Sequence, residues 1–217
     1  MGVLSENAII GASGQSTGYD IEQSLRFDDG DNAYLARTPS SDGNRTTWTF
    51  SAWVKRGNLG TRQIIFAARE VSVGKRFYLE FNSSDQIEIS EYTSAVGYDF
   101  RLITTPVYRD PGAWYHILFK YDSTPATPSS SSVSLYVNGE QVTAFGTEDY
   151  PPQNDETAIN CDEQHTIGER ADLAGSNYDG YLAEVHFIDG TALDASSFGQ
   201  TDAATNQWKP IEYTGSY

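Results

Sequence analysis

Acidic residues on predicted strands are the first that could do chemistry, because two neighbouring carboxylates can cleave a glycosidic bond. Two carboxylates that cleave a glycosidic bond by the retaining route sit about 5 Å apart, and residues i, i+2 and i+4 of a strand share one face. Glu88 is the nearest match, but it shares its face with Ser90 and Tyr92, whereas Glu91 faces the other way. The strand through Glu80 likewise offers one carboxylate. We therefore predict no catalytic residues and no enzymatic activity.

Histidine and cysteine form no recognisable catalytic or zinc-binding pattern. His116, His165 and His186 all fall in predicted strands, without the spacing of a catalytic triad or of zinc ligands. We interpret each as a hydrogen-bonded strand residue. Cys161 is the single cysteine, so it has no partner for an intrachain disulfide, and we interpret it as structural.

Oxygen ligands for a metal ion are concentrated in one predicted loop, which contains Asp28, Asp29 and Asp31. Calcium takes about six to eight oxygen ligands, and carboxylates are its usual protein ligands. The segment lacks the complete spacing of an EF-hand loop. Calcium is therefore the candidate cofactor at these residues, and an exposed acidic turn is the alternative.

Aromatic side chains are the third kind of candidate site, because sugar rings pack on their faces. The tyrosines that lie in or beside predicted loops are the candidate ligand-binding residues. The alternatives for each are a place in the core or in a protein interface. These tyrosines are Tyr92, Tyr98, Tyr108, Tyr150 and Tyr178.

Charge excludes two classes of partner. Among 217 residues there are 30 acidic and 14 basic side chains, which gives a formal net charge of −16. Such a chain is repelled by phosphate backbones and anionic lipid, so we predict no nucleic-acid and no membrane partner. The same charge favours neutral or cationic glycans over sulfated or phosphorylated ones. No stretch approaches the roughly 18 consecutive apolar residues of a membrane span.

Short strands separated by turns dominate the chain. Residues 47–55 alternate between apolar and polar side chains, which predicts a β-strand with Trp48, Phe50, Ala52 and Val54 on one face. Asn138-Gly139 is the strongest hairpin signal. Ten or more such strands without a long amphipathic helix predict an all-β fold, either a sandwich of two facing sheets or a jelly roll. We assign residues 24–217 to one domain and residues 1–23 to an extended N-terminal arm.

Three segments carry a family resemblance: the Trp-Thr-Phe-Ser-Ala-Trp-Val-Lys strand at 48–55, residues 114–142 with Leu-Tyr-Val-Asn-Gly, and the closing segment 167–193. Together they resemble the laminin G-like jelly roll of the concanavalin A-like lectin/glucanase superfamily. The resemblance implies the same fold, an all-β, two-sheet antiparallel jelly-roll sandwich, and, in many members, calcium bound in loops. Ala183 stands where the family has an aspartate in its closing strand, so part of that metal site is missing.

A narrower resemblance is carried by residues 24–27 (Ser-Leu-Arg-Phe), 33–39 and 207–217. These segments are similar to those of jelly-roll proteins of tailed bacteriophages. This resemblance implies a virion protein, either a capsid decoration or a tail-fibre module, with other virion proteins as partners through the arm. A homotrimer follows by analogy only. A carbohydrate-binding adhesin for host polysaccharide is the alternative function, and a polysaccharide-degrading enzyme is the third.

Overall fold

Fifteen β-strands and two short 3-10 helices make up the regular structure of the computed structural model, which describes residues 19–171 and 176–217. The helices are Asp29–Asp31 and Ala195–Ser197. The strands are β1 Leu25–Phe27, β2 Leu35–Arg37, β3 Thr47–Arg56, β4 Gln63–Glu70, β5 Lys75–Phe81, β6 Ile87–Thr93, β7 Gly97–Thr104, β8 Tyr115–Asp122, β9 Ser134–Val137, β10 Glu140–Gln141, β11 Phe145–Asp149, β12 His165–Ile167, β13 Gly180–Asp189, β14 Gly199–Thr201 and β15 Trp208–Pro210.

The strands form two large antiparallel sheets with one apolar core between them. The first sheet has six strands in the order β1-β13-β3-β8-β9-β10, and the second has seven in the order β11-β7-β6-β5-β4-β12-β2. Strands β14 and β15 pair separately. This arrangement confirms the predicted two-sheet jelly-roll sandwich. No helix among the described residues has the length and apolar character to cross a membrane.

The core is built by strand alternation, as β3 illustrates. Trp48, Phe50, Ala52 and Val54 point inward and are fully buried, which confirms the face predicted for them. The Trp48 ring stacks on Tyr121 at 5.2 Å between ring centroids. Its indole N–H donates to a threonine hydroxyl at 3.1 Å, so the polar atom of this buried ring is satisfied.

The turn at Asn138-Gly139 has the backbone conformation that its residue types predict. Asn138 and Gly139 both have positive φ, 51° and 82°, as the predicted type I′ hairpin turn requires. Asp194 precedes the 3-10 helix Ala195–Ser197, but its side chain makes no capping hydrogen bond. Its carboxylate instead accepts hydrogen bonds from Lys120 and Tyr136.

The C-terminal segment covers the outer face of the six-stranded sheet. Phe198 packs with Leu118 and Ile188 from that sheet, and Tyr213 packs against this group. Residues 19–23 of the predicted arm reach the same face, where the Tyr19 hydroxyl donates to Glu184 at 2.8 Å. Residues 1–18, the rest of the predicted arm, lie outside the described residues.

Candidate functional site

A cleft of about 310 Å³ opens on the outer face of the six-stranded sheet, and three of the four tryptophans line it. Trp53 belongs to the outward face of β3, Trp114 immediately precedes β8, and Trp208 begins β15. We call this the tryptophan cleft. Its other lining residues are Ile21, Glu22, Gln23, Ser24, Ala183 and Pro210.

A buried histidine fixes the Trp208 ring. The indole N–H of Trp208 donates to His116 Nδ1 at 3.1 Å, and the two rings stack at 5.9 Å between centroids. Because an indole only donates, His116 Nδ1 accepts and its Nε2 carries the proton, which is donated to Ser51 Oγ at 2.8 Å. Burial lowers the pKa of His116 to about 3. The imidazole is therefore neutral, and it positions Trp208 rather than activating Ser51.

The remaining two indoles differ in exposure. Trp114 is 36% exposed and packs at 6.5 Å from the Tyr181 ring, whereas Trp53 is buried beside His116. Glu22 is the charged side chain among the lining residues, and no described residue forms an ion pair with it. The cleft thus combines open indole surface with an unpaired carboxylate and the Gln23 amide.

Two of the candidate calcium ligands meet in the structure, together with a residue that the sequence analysis did not select. Carboxylate oxygens of Asp28, Asp29 and Asp179 lie within 4.8 Å of one another, and Asp31 is not part of this acidic cluster. The pKa of Asp179 is raised, first by burial and then by the negative charges of Asp29 and Asp28. A cation fits this charge, but Arg26 already donates to Asp28 at 3.2 Å.

The five candidate tyrosines do not lie together in one site. Tyr178 is fully buried and Tyr108 is 8% exposed, so both rings belong to the core and offer no face to a sugar. Tyr92 and Tyr98 form an edge-to-face pair at 5.4 Å on the outer face of the seven-stranded sheet, where Tyr98 is 51% exposed. The Tyr150 hydroxyl donates to Glu148 in a separate region.

Strand pairing brings together two carboxylates of neighbouring strands, which the alternation within one strand does not predict. Glu80 of β5 lies directly opposite Glu88 of β6. Arg62 donates to both oxygens of Glu80, and Arg101 donates to Glu88 at 2.8 Å. Both carboxylates are thus held in ion pairs. Glu91 faces away from this pair, into the core, as the alternation predicts.

The other predicted structural side chains are also engaged. His165 accepts the Asn160 backbone N–H at Nε2, and burial lowers its pKa. His186 lies 3.0 Å from the Tyr217 hydroxyl and 3.2 Å from Glu184. Cys161 is buried and its thiol donates to the Arg69 carbonyl. Each of these three side chains thus has a hydrogen-bond partner within the fold.

A larger cleft of about 560 Å³ lies where the edges of the two sheets meet, beside β2. Its floor consists of core rings, including Phe50 and Phe66. Among its polar lining residues, Asp189 accepts hydrogen bonds from the Asn44 N–H and from the Asn160 amide. Arg37, Ser40 and Ser41 also line this edge cleft.

The chain belongs to a laminin G family described as the concanavalin A-like lectin/glucanases superfamily, whose family model matches residues 28–197. A comparison with curated proteins finds no match.

Solved structures share the fold at low sequence identity. A heptameric SAP-like pentraxin from Limulus polyphemus has TM-score 0.52 and 15% identity, covering 74% of this chain and 70% of its own. Mouse laminin α1 domains LG4-5 have TM-score 0.53 and 11% identity, covering 80% and 44%. The CBM40 domain of Ruminococcus gnavus IT-sialidase, bound to α2,6 sialyllactose, has TM-score 0.50 and 10% identity, covering 82% and 96%. This chain spans less than half of the laminin fragment.

Proposed function

We propose that this protein is a non-enzymatic carbohydrate-binding protein whose tryptophan cleft holds the sugar. The proposal is carried by one observation, the gathering of Trp53, Trp114 and Trp208 around a cleft of about 310 Å³. The C–H faces of sugar rings pack against aromatic faces, and small-ligand pockets start at about 300 Å³. The Glu22 carboxylate and the Gln23 amide supply polar groups for the hydroxyls.

Membership of a lectin superfamily supports this proposal, as does the fold shared with a CBM40 domain bound to sialyllactose. The absence of enzymatic activity is part of the proposal and is supported by the ion pairs of Glu80 and Glu88. We expect no release of reducing sugar from polysaccharides. Release by the wild-type protein that is lost in Glu88→Gln would overturn this part.

Truncating the most exposed indole is the direct test. We expect Trp114→Ala to weaken glycan binding at least about tenfold, which corresponds to ~1.4 kcal/mol, because the sugar loses an aromatic face. Affinity electrophoresis through gels that contain soluble polysaccharides measures this change. Tyr98→Ala is the matched control, since it removes an exposed aromatic ring from the other sheet. Equal losses in both variants, or none in Trp114→Ala, would contradict the assignment.

The setting we propose is a bacteriophage virion, as a capsid decoration or tail-fibre module that serves assembly and host attachment. The resemblance of residues 24–27, 33–39 and 207–217 to phage jelly-roll proteins supports it. Other virion proteins are the proposed partners through the N-terminal arm, and a homotrimer is the proposed state. Deletion of residues 1–20 is expected to abolish incorporation into particles, and normal incorporation would speak against the role of the arm.

Calcium at the acidic cluster is a separate proposal. A bound cation would relieve the mutual repulsion of Asp28, Asp29 and Asp179, so calcium is expected to raise the melting temperature of the wild-type protein. Asp179→Asn removes one ligand and is expected to lose that increase. A melting temperature that does not change with calcium, together with no heat of calcium binding, would remove this proposal.

A further inference from the structure

We propose that the tryptophan cleft selects glycan units that carry a positive charge, namely unacetylated amino sugars, over their uncharged N-acetylated forms. This inference rests on the carbohydrate binding proposed above for the same cleft. It assigns Glu22 as the residue that receives the ammonium group of the sugar.

The charge that lines the cleft is negative and comes from a single residue. Glu22 is acidic, the other lining residues carry no charge, and no described residue forms an ion pair with Glu22. An exposed carboxylate without a partner beside an apolar surface favours a cation and disfavours an anion. The cleft is therefore electrostatically suited to an ammonium group.

Basic residues close to the cleft in sequence do not neutralise Glu22. Lys209 lies between two lining residues, but its ammonium group pairs with Asp202 at 2.8 Å. Arg26 pairs with Asp28 at 3.2 Å. Lys55 follows Trp53 by two residues in β3 and is not among the lining residues. Among the residues that the structure describes, the carboxylate of Glu22 thus has no basic partner, and we assign it to the ligand.

The indole faces favour the same ligand. A cation near the face of an aromatic ring is attracted by the ring quadrupole, and tryptophan gives the strongest effect. The same faces pack against the C–H surface of a sugar ring. An amino sugar presents both features in one unit, whereas its N-acetylated form keeps the ring and loses the charge. The net charge of −16 adds long-range attraction for a cationic glycan.

Two oligosaccharides that differ in N-acetylation, and therefore in charge, test the inference. Calorimetric titration of the full chain with β-1,4-glucosamine oligomers and with N-acetylglucosamine oligomers of equal length measures the preference. We expect the glucosamine oligomer to bind about tenfold more tightly to the wild-type protein. Glu22→Gln is expected to reduce this preference to less than about threefold. Added salt is expected to weaken glucosamine binding more than N-acetylglucosamine binding.

Control variants separate the cleft from general charge attraction. Glu148→Gln removes the same charge from β11 of the seven-stranded sheet, and it is expected to keep the tenfold preference. Trp114→Ala is expected to weaken both oligomers. A preference in Glu22→Gln that equals that of Glu148→Gln would overturn the assignment of Glu22.

The outcomes also separate this inference from the proposed function. Equal binding of both oligomers, with loss in Trp114→Ala, would overturn charge selection and leave carbohydrate binding in place. Glucosamine binding that Trp114→Ala does not change would show general charge attraction and overturn the inference. Binding of neither oligomer by the folded wild-type protein would overturn the inference, while the proposed function would still be judged on neutral polysaccharides.

Discussion

Single side chains decide how this protein responds to pH, and Glu91 is the clearest case. Its carboxyl group is completely buried, which raises its pKa to about 8, although Lys75 and the Ala158 N–H oppose the shift. One oxygen accepts the Ala158 N–H at 2.7 Å, and the other has no hydrogen-bond partner among the described residues. A neutral carboxyl group suits this environment better than a charged one.

Glu91→Gln is therefore expected to stabilise the protein at high pH. The folded chain holds the Glu91 proton up to about pH 8, and the unfolded chain releases it near the usual value of about 4.5. The folded state thus binds more protons in this window, so the free energy of unfolding falls as pH rises through it. Chemical denaturation at pH 9 is expected to favour Glu91→Gln by about 2 kcal/mol or more, at about 1.4 kcal/mol per pKa unit.

The difference is expected to shrink towards pH 4.5, because both proteins are then uncharged at this position. Glu88→Gln is the control on the same strand, since Glu88 lies on the outer face beside Arg101. Wild-type and Glu91→Gln stability curves that run parallel from pH 5 to pH 9 would show that Glu91 does not titrate as described.

At the scale of elements, the hairpin between β9 and β10 packs against Trp208 of the tryptophan cleft. Gly139 in its turn has φ of 82°, and a Cβ there would overlap the Trp208 ring. Gly139→Ala is expected to destabilise the protein by about 1–3 kcal/mol, through backbone strain and overpacking. Because it displaces Trp208, it is also expected to weaken glycan binding.

Gly60→Ala is the matched control for this hairpin. Gly60 has φ of 71°, and a Cβ there would meet no atom within 4 Å, so the substitution introduces strain without overlap. We expect a smaller loss of stability and unchanged glycan binding. Thermal unfolding and affinity electrophoresis measure the two effects. A Gly139→Ala variant that binds glycan as well as Gly60→Ala would contradict the link between the turn and the cleft.

Elements with a strong local sequence pattern could be predicted, whereas elements with a weak pattern could not. The alternation in β3 and the Asn-Gly turn fix their own backbone conformations, so both were predicted correctly. Strand β7 was not predicted, because apolar Ile103 on its outer face blurs the alternation set by Phe100 and Leu102. The short strands β1 and β2 are mostly exposed and carry little pattern.

At the scale of the whole molecule, the cleft depends on topology that no local pattern specifies. Trp53, Trp114 and Trp208 are far apart in sequence, and they meet because β3 pairs with β8 and the C-terminal segment folds over both. Two tryptophans carry a sequence signal for an exposed aromatic site. Trp53 falls on the polar face of its strand, and Trp114 follows a turn. The carboxylate pair of Glu80 and Glu88 was missed because it needs the register of two strands.

The central claim is that this lectin-fold protein binds carbohydrate through the tryptophan cleft. The most direct measurement is a broad glycan array probed in parallel with the wild-type protein, Trp114→Ala and Tyr98→Ala, with calcium and with a chelator. We predict a defined set of bound glycans that Tyr98→Ala retains and Trp114→Ala loses. Folded wild-type protein that binds no glycan, or a Trp114→Ala variant that binds the same set equally well, would contradict the claim.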